Sequence, residues 1–311
     1  MASFVRKDYE ILSSRFKMYR RFYRGNLHAI PDRVAIFRGI RRTDFNCSWF
    51  GYLQAYWALQ YSRKLGKRSV VILGGFDVCE EEDPRLTDRL FTVQFILRNA
   101  DCLIACSERV RRKALAIEPK ARISLIYHGF DPNQYTPGSK QPSVVTIGYV
   151  RQPNLVRKGL EVFVRAAARL PNIRFFLVGA WVDQSIGYLR SIATPNVRFT
   201  GQLPDGELVK LLQSAAVYVQ ASSHEGFGCS LAEAMLAECV PVVSDRGAIP
   251  EVVGETGVYV DPTDEKDVAR GIAEALNSPS RGGPARNRIA TSFPLDRRRI
   301  QLLQAIEDVL V

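Results

Sequence analysis

The sequence has no apolar run approaching the ~18 residues that cross a bilayer, so no membrane span is expected. Its opening stretch, MASFVRKDYEILSSRF, lacks the apolar core of a secretory signal. The expected place is the cytoplasm or the cytoplasmic face of a membrane. No two of the six cysteines, Cys47, Cys79, Cys102, Cys106, Cys229 and Cys239, form a C-x-x-C pair. Cys102 and Cys106 flank LIA, which reads as a buried strand. Free buried thiols are therefore expected, and a disulfide or metal framework is not. Acidic charge is also short. Lysine and arginine number 43 against 32 aspartate and glutamate, a net charge of +11.

That charge is unevenly spread. Residues 1–43 hold Arg6, Lys7, Arg15, Lys17, Arg20, Arg21, Arg24, Arg33, Arg38, Arg41 and Arg42 against Asp8, Glu10 and Asp32, which is 11 minus 3, or +8. KMYRRFYR (Lys17–Arg24) interleaves cations with aromatics. Nucleic acid, an anionic membrane surface or a phosphate-bearing substrate could each answer such a surface, and so could plain solvation. The 311 residues suggest two domains, and 46% hydrophobic content is ordinary for a globular chain.

Short β-branched or aromatic runs alternate with longer amphipathic ones. SVVILGG, DCLIACS and RISLIYHG read as strands, with DFNCSW and KMYRRFY as weaker ones. Ser107 reads as the N-cap of the helix ERVRRKALAI. The chain starts on a helix-like segment, SFVRKDYEILSSRF, so the first domain is expected to lack an opening strand. FDPNQYTPGSKQPS is rich in Pro, Gly and Ser and reads as an interdomain linker. Beyond it the alternation restarts at VVTIGYV and continues through VPVVSD and TGVYVDP. Apolar strands separated by helices imply parallel sheets covered on both faces. The expected fold is α/β, two doubly wound domains. The expected limits are 1–135, 136–293 and a last helix, 294–311, packing back on the first domain.

The chemistry concentrates in HEGFGCSLAE, His224 to Glu233. It follows the strand-like AAVYVQ and precedes a helix expected to begin near Cys229 or Ser230. A helix start offers unpaired N–H groups and a dipole that favours phosphate. Gly226 and Gly228 allow a ligand close to the backbone. Glu225 lies in the loop and Glu233 in what reads as the first helical turn. Together they could grip sugar hydroxyls at the two ends of one extended ligand. The bland alternative makes Glu233 a helix-end charge and Glu225 a solvated loop acid. A second element, YVRQPNLVRKGL, carries Arg151, Arg157 and Lys158 at the carboxyl end of the domain's first strand. These cations suit a diphosphate, or else merely make a basic surface.

SSHEGFGCSLAEAMLAECVPVVSDRGAIPEVVGETGVYVDPTDEKDVARGI resembles the signature region of retaining glycosyltransferase family 4, whose fold is GT-B, two Rossmann-like domains facing a cleft. Glu225 and Glu233 meet its E-x7-E motif. RKGLEVFVRAAARLPNIRFFLVG resembles its diphosphate-binding region, and HGFDPNQYTP the end of its first domain. The resemblance covers residues 120–275 well and the first domain weakly. It implies a hexosyltransferase that needs no metal or other cofactor and uses a UDP- or GDP-type sugar donor. Glu225 would hold donor-sugar hydroxyls near the anomeric centre, and Glu233 the ribose. Lys158 with Arg151 would bind the diphosphate. Backbone amides around Gly226, Phe227, Gly228, Cys229, Ser230 and Leu231 would contact sugar and phosphate, with Leu203 near the base.

Two departures from the family pattern stand out. Arg151 lies seven residues before Lys158 where about five is usual, so Arg157 competes for the role. Where the family often has a histidine facing the donor sugar, this chain has GGFDV, with Asp77 as the polar candidate. The basic N-terminal region leads to the expectation of an acceptor that is an anionic lipid or a glycan, lipid-linked or membrane-associated, with peripheral association at an anionic membrane. The alternatives are a non-catalytic sugar-nucleotide-binding protein or partner subunit, a sugar-nucleotide epimerase, and a nucleic-acid binder. The last leaves the paired glutamates unexplained.

Overall fold

A computed structural model of the chain describes residues 3–21, 30–79 and 86–311. The chain divides into two compact units, Met1–Gly129 with Leu295–Val311, and Phe130–Pro294.

The first unit opens on two helices, α1 (Ser3–Ser13) and α2 (Ile30–Ile40). Then β1 (Phe45–Trp49), α3 (Leu53–Lys64), β2 (Arg68–Leu73), α4 (Leu86–Asn99), β3 (Cys102–Ala105), α5 (Glu108–Ile117) and β4 (Ile123–Leu125) alternate. The strands lie in the order β1-β2-β3-β4, all parallel. The middle strands are apolar on both faces because helices cover both. Ser107 caps α5 by accepting from the Val110 amide at 3.2 Å, as its position predicts. The strand expected at KMYRRFY is not formed over Lys17–Arg21. Lys17–Arg21 carry no regular structure, and the remainder of the run lies outside the described residues. Cations laid over rings explain the difference. Lys17 sits 5.9 Å from the Tyr19 ring centre and Arg20 5.2 Å from that of Tyr9, and over Lys17–Arg21 Met18 alone packs against the core, one inward anchor in place of a strand's alternating face.

The second unit holds β5 (Gln141–Ile147), α6 (Gln152–Arg157), α7 (Leu160–Ala167), β6 (Arg174–Val178), α8 (Ser185–Ile192), β7 (Val197–Gly201), α9 (Asp205–Ser214) and β8 (Ala215–Gln220). It continues through α10 (Cys229–Leu236), β9 (Val240–Val243), α11 (Ile249–Val253), β10 (Val258–Tyr259), α12 (Glu265–Leu276) and α13 (Gly282–Ser292). Its strands are parallel in the order β10-β9-β8-β5-β6-β7. The strand order therefore reverses between β5 and β8. Such a switch point opens a crevice at the carboxyl ends of the strands, where ligands of doubly wound sheets sit. The core runs through Val144, Phe163, Phe175, Val217, Val242 and Ile272. Helices α6, α8 and α11 are short, and the periodicity of the sequence does not show them. For α8 a local signal exists, because Asp183 accepts from the Ser185 amide at 2.9 Å. Both ends of the unit meet, with the Phe130 amide donating to the Phe293 carbonyl at 3.0 Å.

The last helix, α14 (Leu295–Leu310), belongs to the first unit. Leu302 and Ile306 pack with Ile11, Leu12, Val70, Ile72 and Ile104. Beneath them lies a charge pair closed to water, with Arg298 and Asp8 side chains 2% and 3% exposed. The guanidinium donates to both Asp8 oxygens at 2.9 and 2.6 Å, and to the Ile126 carbonyl at 2.6 Å. One residue thus joins α1, the end of β4 and α14. Burial, with the nearby Arg298 and Lys7 charges, pushes the His128 imidazole well below its usual range, so it stacks on Trp49 as a neutral ring. Arg298→Met would strand a buried carboxylate. The expected cost is about 3–5 kcal/mol by denaturant unfolding, while the double change Asp8→Leu/Arg298→Met costs clearly less.

Candidate functional site

At the switch point the loops after β5 and β8 run side by side. Gly159 ends the first of them with φ +64°, a left-handed conformation that suits glycine. A Cβ there would lie 2.1 Å from the Ala221 carbonyl oxygen. The Ser223 amide donates to the Arg157 carbonyl at 2.9 Å. Only so close an approach lets a residue on α6 reach one in the β8 loop.

The consequence is an ion pair between Lys158, at the C-terminal end of α6, and Glu225. The lysine ammonium donates to Glu225 Oε1. Glu225 is 8% exposed. Burial by itself would raise its pKa. The Lys158 charge and hydrogen bond, with Arg157 and the Ser222 hydroxyl, outweigh that and hold the carboxyl below its ordinary 4.5. Glu225 is therefore an ionised acceptor at neutral pH. The loop after β9 braces it from behind. The Ala248 amide donates to the Glu225 carbonyl at 2.9 Å, and Gly247, at φ +61°, leaves only 2.6 Å between a would-be Cβ and the Glu225 amide nitrogen.

Helix α10 starts at Cys229, inside the range read from sequence. Gly228 stands before it at φ +96°, and the first helical hydrogen bond runs from Ala232 N–H to the Gly228 carbonyl. The Ser230 and Leu231 amides precede that bond, as the open donors of a helix start do. Glu233 is not in the first turn as expected but is the fifth residue of α10, one turn further in, and is 4% exposed. The helix begins at Cys229 because Gly228 leaves the helical conformation only there. The Tyr218 phenol is pushed well above its usual range by burial and by both carboxylates, Glu225 and Glu233.

The other expected residues divide. Arg157 is half-buried and its charge is felt at Glu225. Its guanidinium donates to Asn154 Oδ1 at 2.7 Å. Arg151 is the exposed N-cap residue of α6, and its charge is felt at Asp183. Phe227 is 3% exposed, stacked on Phe130 at 5.8 Å and edge-on to Phe293 at 5.2 Å between ring centres. It anchors the loop, so a ligand would meet backbone there. Gly226 and Cys229 are half-buried, and Leu203, just beyond β7, is half-buried too. Asp77 lies in the first unit, 0% exposed. Its carboxylate accepts from the amides of Gly51 at 2.7 Å, Gly74 at 3.2 Å and Gly75 at 2.8 Å. That geometry makes it a clamp on the turns after β1 and β2 in place of the ligand-facing group expected.

Two residues at the site had no role in the sequence reading. Gln220 and Ser222 both donate to Glu225 Oε1, at 2.8 and 2.9 Å. Their signal was a polar pair at the carboxyl end of an otherwise apolar strand.

The family model described as glycosyl transferases group 1 matches residues 136–292. The Escherichia coli O-antigen chain mannosyltransferase B is 31% identical over 133 residues, 40% of this chain and 35% of that protein. The lipopolysaccharide core biosynthesis glycosyltransferase LpsE of Rhizobium meliloti (strain 1021) is 28% identical over 58% of this chain and 55% of its own length. The D-inositol 3-phosphate glycosyltransferase of Thermobifida fusca (strain YX) is 28% identical over 75% and 61%. The chain spans about half the length of the curated relatives it matches. Among solved structures, the sucrose-phosphate synthase of Thermosynechococcus elongatus shares the fold with TM-score 0.77 at 23% identity, over 90% of this chain and 78% of that one. Anabaena HepE in complex with UDP and glucose gives TM-score 0.79 at 18% identity, over 89% and 82%. The expected fold of two Rossmann-like α/β domains is thus found.

Gly159→Ala is expected to push the β5 and β8 loops apart. The Lys158–Glu225 pair should open in a crystal structure of the variant, and its melting temperature should fall by several degrees, about 1–3 kcal/mol of strain.

Proposed function

This chain belongs to the family of glycosyl transferases group 1, and from that premise we propose that it moves a hexose from a nucleotide-diphosphate sugar to an acceptor with retention at the anomeric carbon. The observation that carries the reading is the Lys158–Glu225 pair in front of the start of α10, at the switch point of the second unit. Lys158 and Arg157, with Arg151 further out, take up the charge of the diphosphate as it leaves. The Ser230 and Leu231 amides add the helix start to the same task. Gly226 and Gly228 let the phosphates and sugar approach the backbone. Glu225, ionised, accepts from the sugar hydroxyls; Glu233 holds the ribose, and the base lies toward Leu203. Asp77 positions turns of the first unit.

In this reading Glu225 is an acceptor and not a covalent nucleophile. The acceptor hydroxyl attacks from the face the diphosphate leaves, and a departing phosphate oxygen takes its proton. The protein's own cations neutralise the diphosphate in place of a metal ion. The UDP held in HepE supports a nucleotide-diphosphate donor of the UDP type, with a GDP type as the alternative. Family membership, rather than geometry alone, favours transfer over sugar-nucleotide binding without turnover.

A thermal-shift panel of UDP- and GDP-sugars should single out one donor. Glu225→Ala and Lys158→Ala are each expected to lower its turnover about 10²–10³-fold, in line with the loss of one group that stabilises developing charge. NMR of the product should show the donor's anomeric configuration. Donor binding with no turnover on any acceptor would favour a binding protein, and an inverted product would remove retention.

The acceptor is proposed to be lipid-linked or membrane-associated. The relatives named for O-antigen and lipopolysaccharide core support this, as does the basic N-terminal region, where Lys17 and Arg20 are exposed and Tyr19 is 65% exposed. Among the described residues no helix is long and apolar enough to cross a membrane; the contact proposed is a peripheral one through the basic region. Sedimentation with phosphatidylglycerol vesicles should exceed that with phosphatidylcholine vesicles and fall as salt rises. Equal sedimentation would remove the anionic-surface part of the reading.

A further inference from the structure

The hydrogen bonds to the Glu225 carboxylate are one-sided. Lys158, Gln220 Nε2 at 2.8 Å and Ser222 Oγ at 2.9 Å all donate to Oε1. Within the described residues no hydrogen bond reaches Oε2. The two neutral donors are themselves fixed. Gln220 is 3% exposed and Ser222 0%. The Tyr218 hydroxyl donates to the Gln220 carbonyl oxygen at 3.1 Å, which turns the amide nitrogen toward Glu225, and that nitrogen also donates to Ser222 Oγ at 2.6 Å. The Ser222 carbonyl in turn accepts from Ser244 Oγ, just beyond β9, at 2.6 Å. The relay runs from one strand to the next with each donor matched to an acceptor, which is what a buried polar network requires.

We infer that Gln220 and Ser222 are positioning residues that clamp Glu225 Oε1, so that Oε2 alone is presented to the hydroxyls of the donor sugar. The inference rests on the transferase reading of the site. Lone-pair capacity gives the physical reason: a carboxylate has about four acceptor positions, and three donors saturate one oxygen and leave the other directed. Division of labour gives a second. Lys158 serves both Glu225 and, in the proposed function, the diphosphate. When the phosphates draw its ammonium away, Gln220 and Ser222 keep the carboxylate oriented with two hydrogen bonds to a charged group, the stronger kind. The clamp thus uncouples the sugar grip from the phosphate grip.

The two grips separate experimentally because a nucleoside diphosphate has phosphates and no sugar. Calorimetric titration of wild type, Ser222→Ala and Gln220→Leu with UDP-glucose, GDP-mannose, UDP and GDP reads both. Ser222→Ala is expected to weaken the preferred nucleotide sugar about tenfold, the size of one hydrogen bond to a charged group, and to leave the matching nucleoside diphosphate unchanged. Gln220→Leu should do the same and more, and if it does not fold, Ser222→Ala carries the test. Equal weakening toward both ligands, or none, overturns the inference alone. A wild-type protein that binds nucleotide sugar no better than nucleoside diphosphate also overturns it, while leaving turnover to judge the transferase reading. A wild-type protein that binds none of the four overturns that reading and the inference with it.

Discussion

Lys158 and Glu225 lie 67 residues apart in sequence, and the arrangement of the second unit turns on their contact. Neither would tolerate the position alone. A carboxylate 8% exposed costs several kcal/mol to bury without a partner, and the lysine needs a reason to point inward. The contact forms because the strand order places β5 beside β8, and because Gly159 lets the backbones that follow those strands nearly touch. A sheet with the same strands in chain order would hold β5 and β8 three places apart. The pair therefore depends on topology, and the local charge arrangement depends on the pair.

Around it each neighbour has a matching physical role. The Gln220 amide and Ser222 hydroxyl share one carboxylate oxygen with the lysine. Phe227 is packed between Phe130 and Phe293, so the glycines on either side of it are held at a fixed height above the sheet. Gly247 brings the loop after β9 against the backbone of Glu225 where no side chain would fit. A preorganised site of this kind stabilises developing charge without rearranging during reaction.

The first unit shows the same device used for stability. Arg298 on α14 and Asp8 on α1 close a buried pair, with the Ile126 carbonyl as a third partner. The fixed guanidinium fork specifies which helix faces seat against the sheet, a more exacting condition than the apolar stripe of Leu302 and Ile306 imposes. Asp77 is a smaller instance, one carboxylate gathering three backbone amides to join the turns after β1 and β2.

Much was already legible along the chain. Apolar runs at regular intervals set out parallel strands between helices, since burial on both faces leaves that pattern in any sequence. Ser107 as an N-cap, the start of α10 at Cys229, and the acids, glycines and cations of the site could be read because caps and glycine loops are local signals. Other features were beyond reach. KMYRRFY has the aromatic content of a strand, while its Lys17 and Arg20 lie against the rings of Tyr19 and Tyr9, contacts that no residue pattern encodes. Glu233 lies outside the first turn because, from the start at Cys229, it is the fifth residue of α10 and a turn takes only about 3.6. Asp77 turned inward because its partners are amides of Gly51, Gly74 and Gly75, one of them 26 residues away. Gln220 and Ser222 lie five and three residues from Glu225, and only the folded loop after β8 turns both toward its Oε1. Composition and spacing by themselves determined the α/β class and which residue types the site contains. Tertiary structure alone decided which atoms meet, because hydrogen bonds and ion pairs act over about 3 Å and only folding brings distant residues that close.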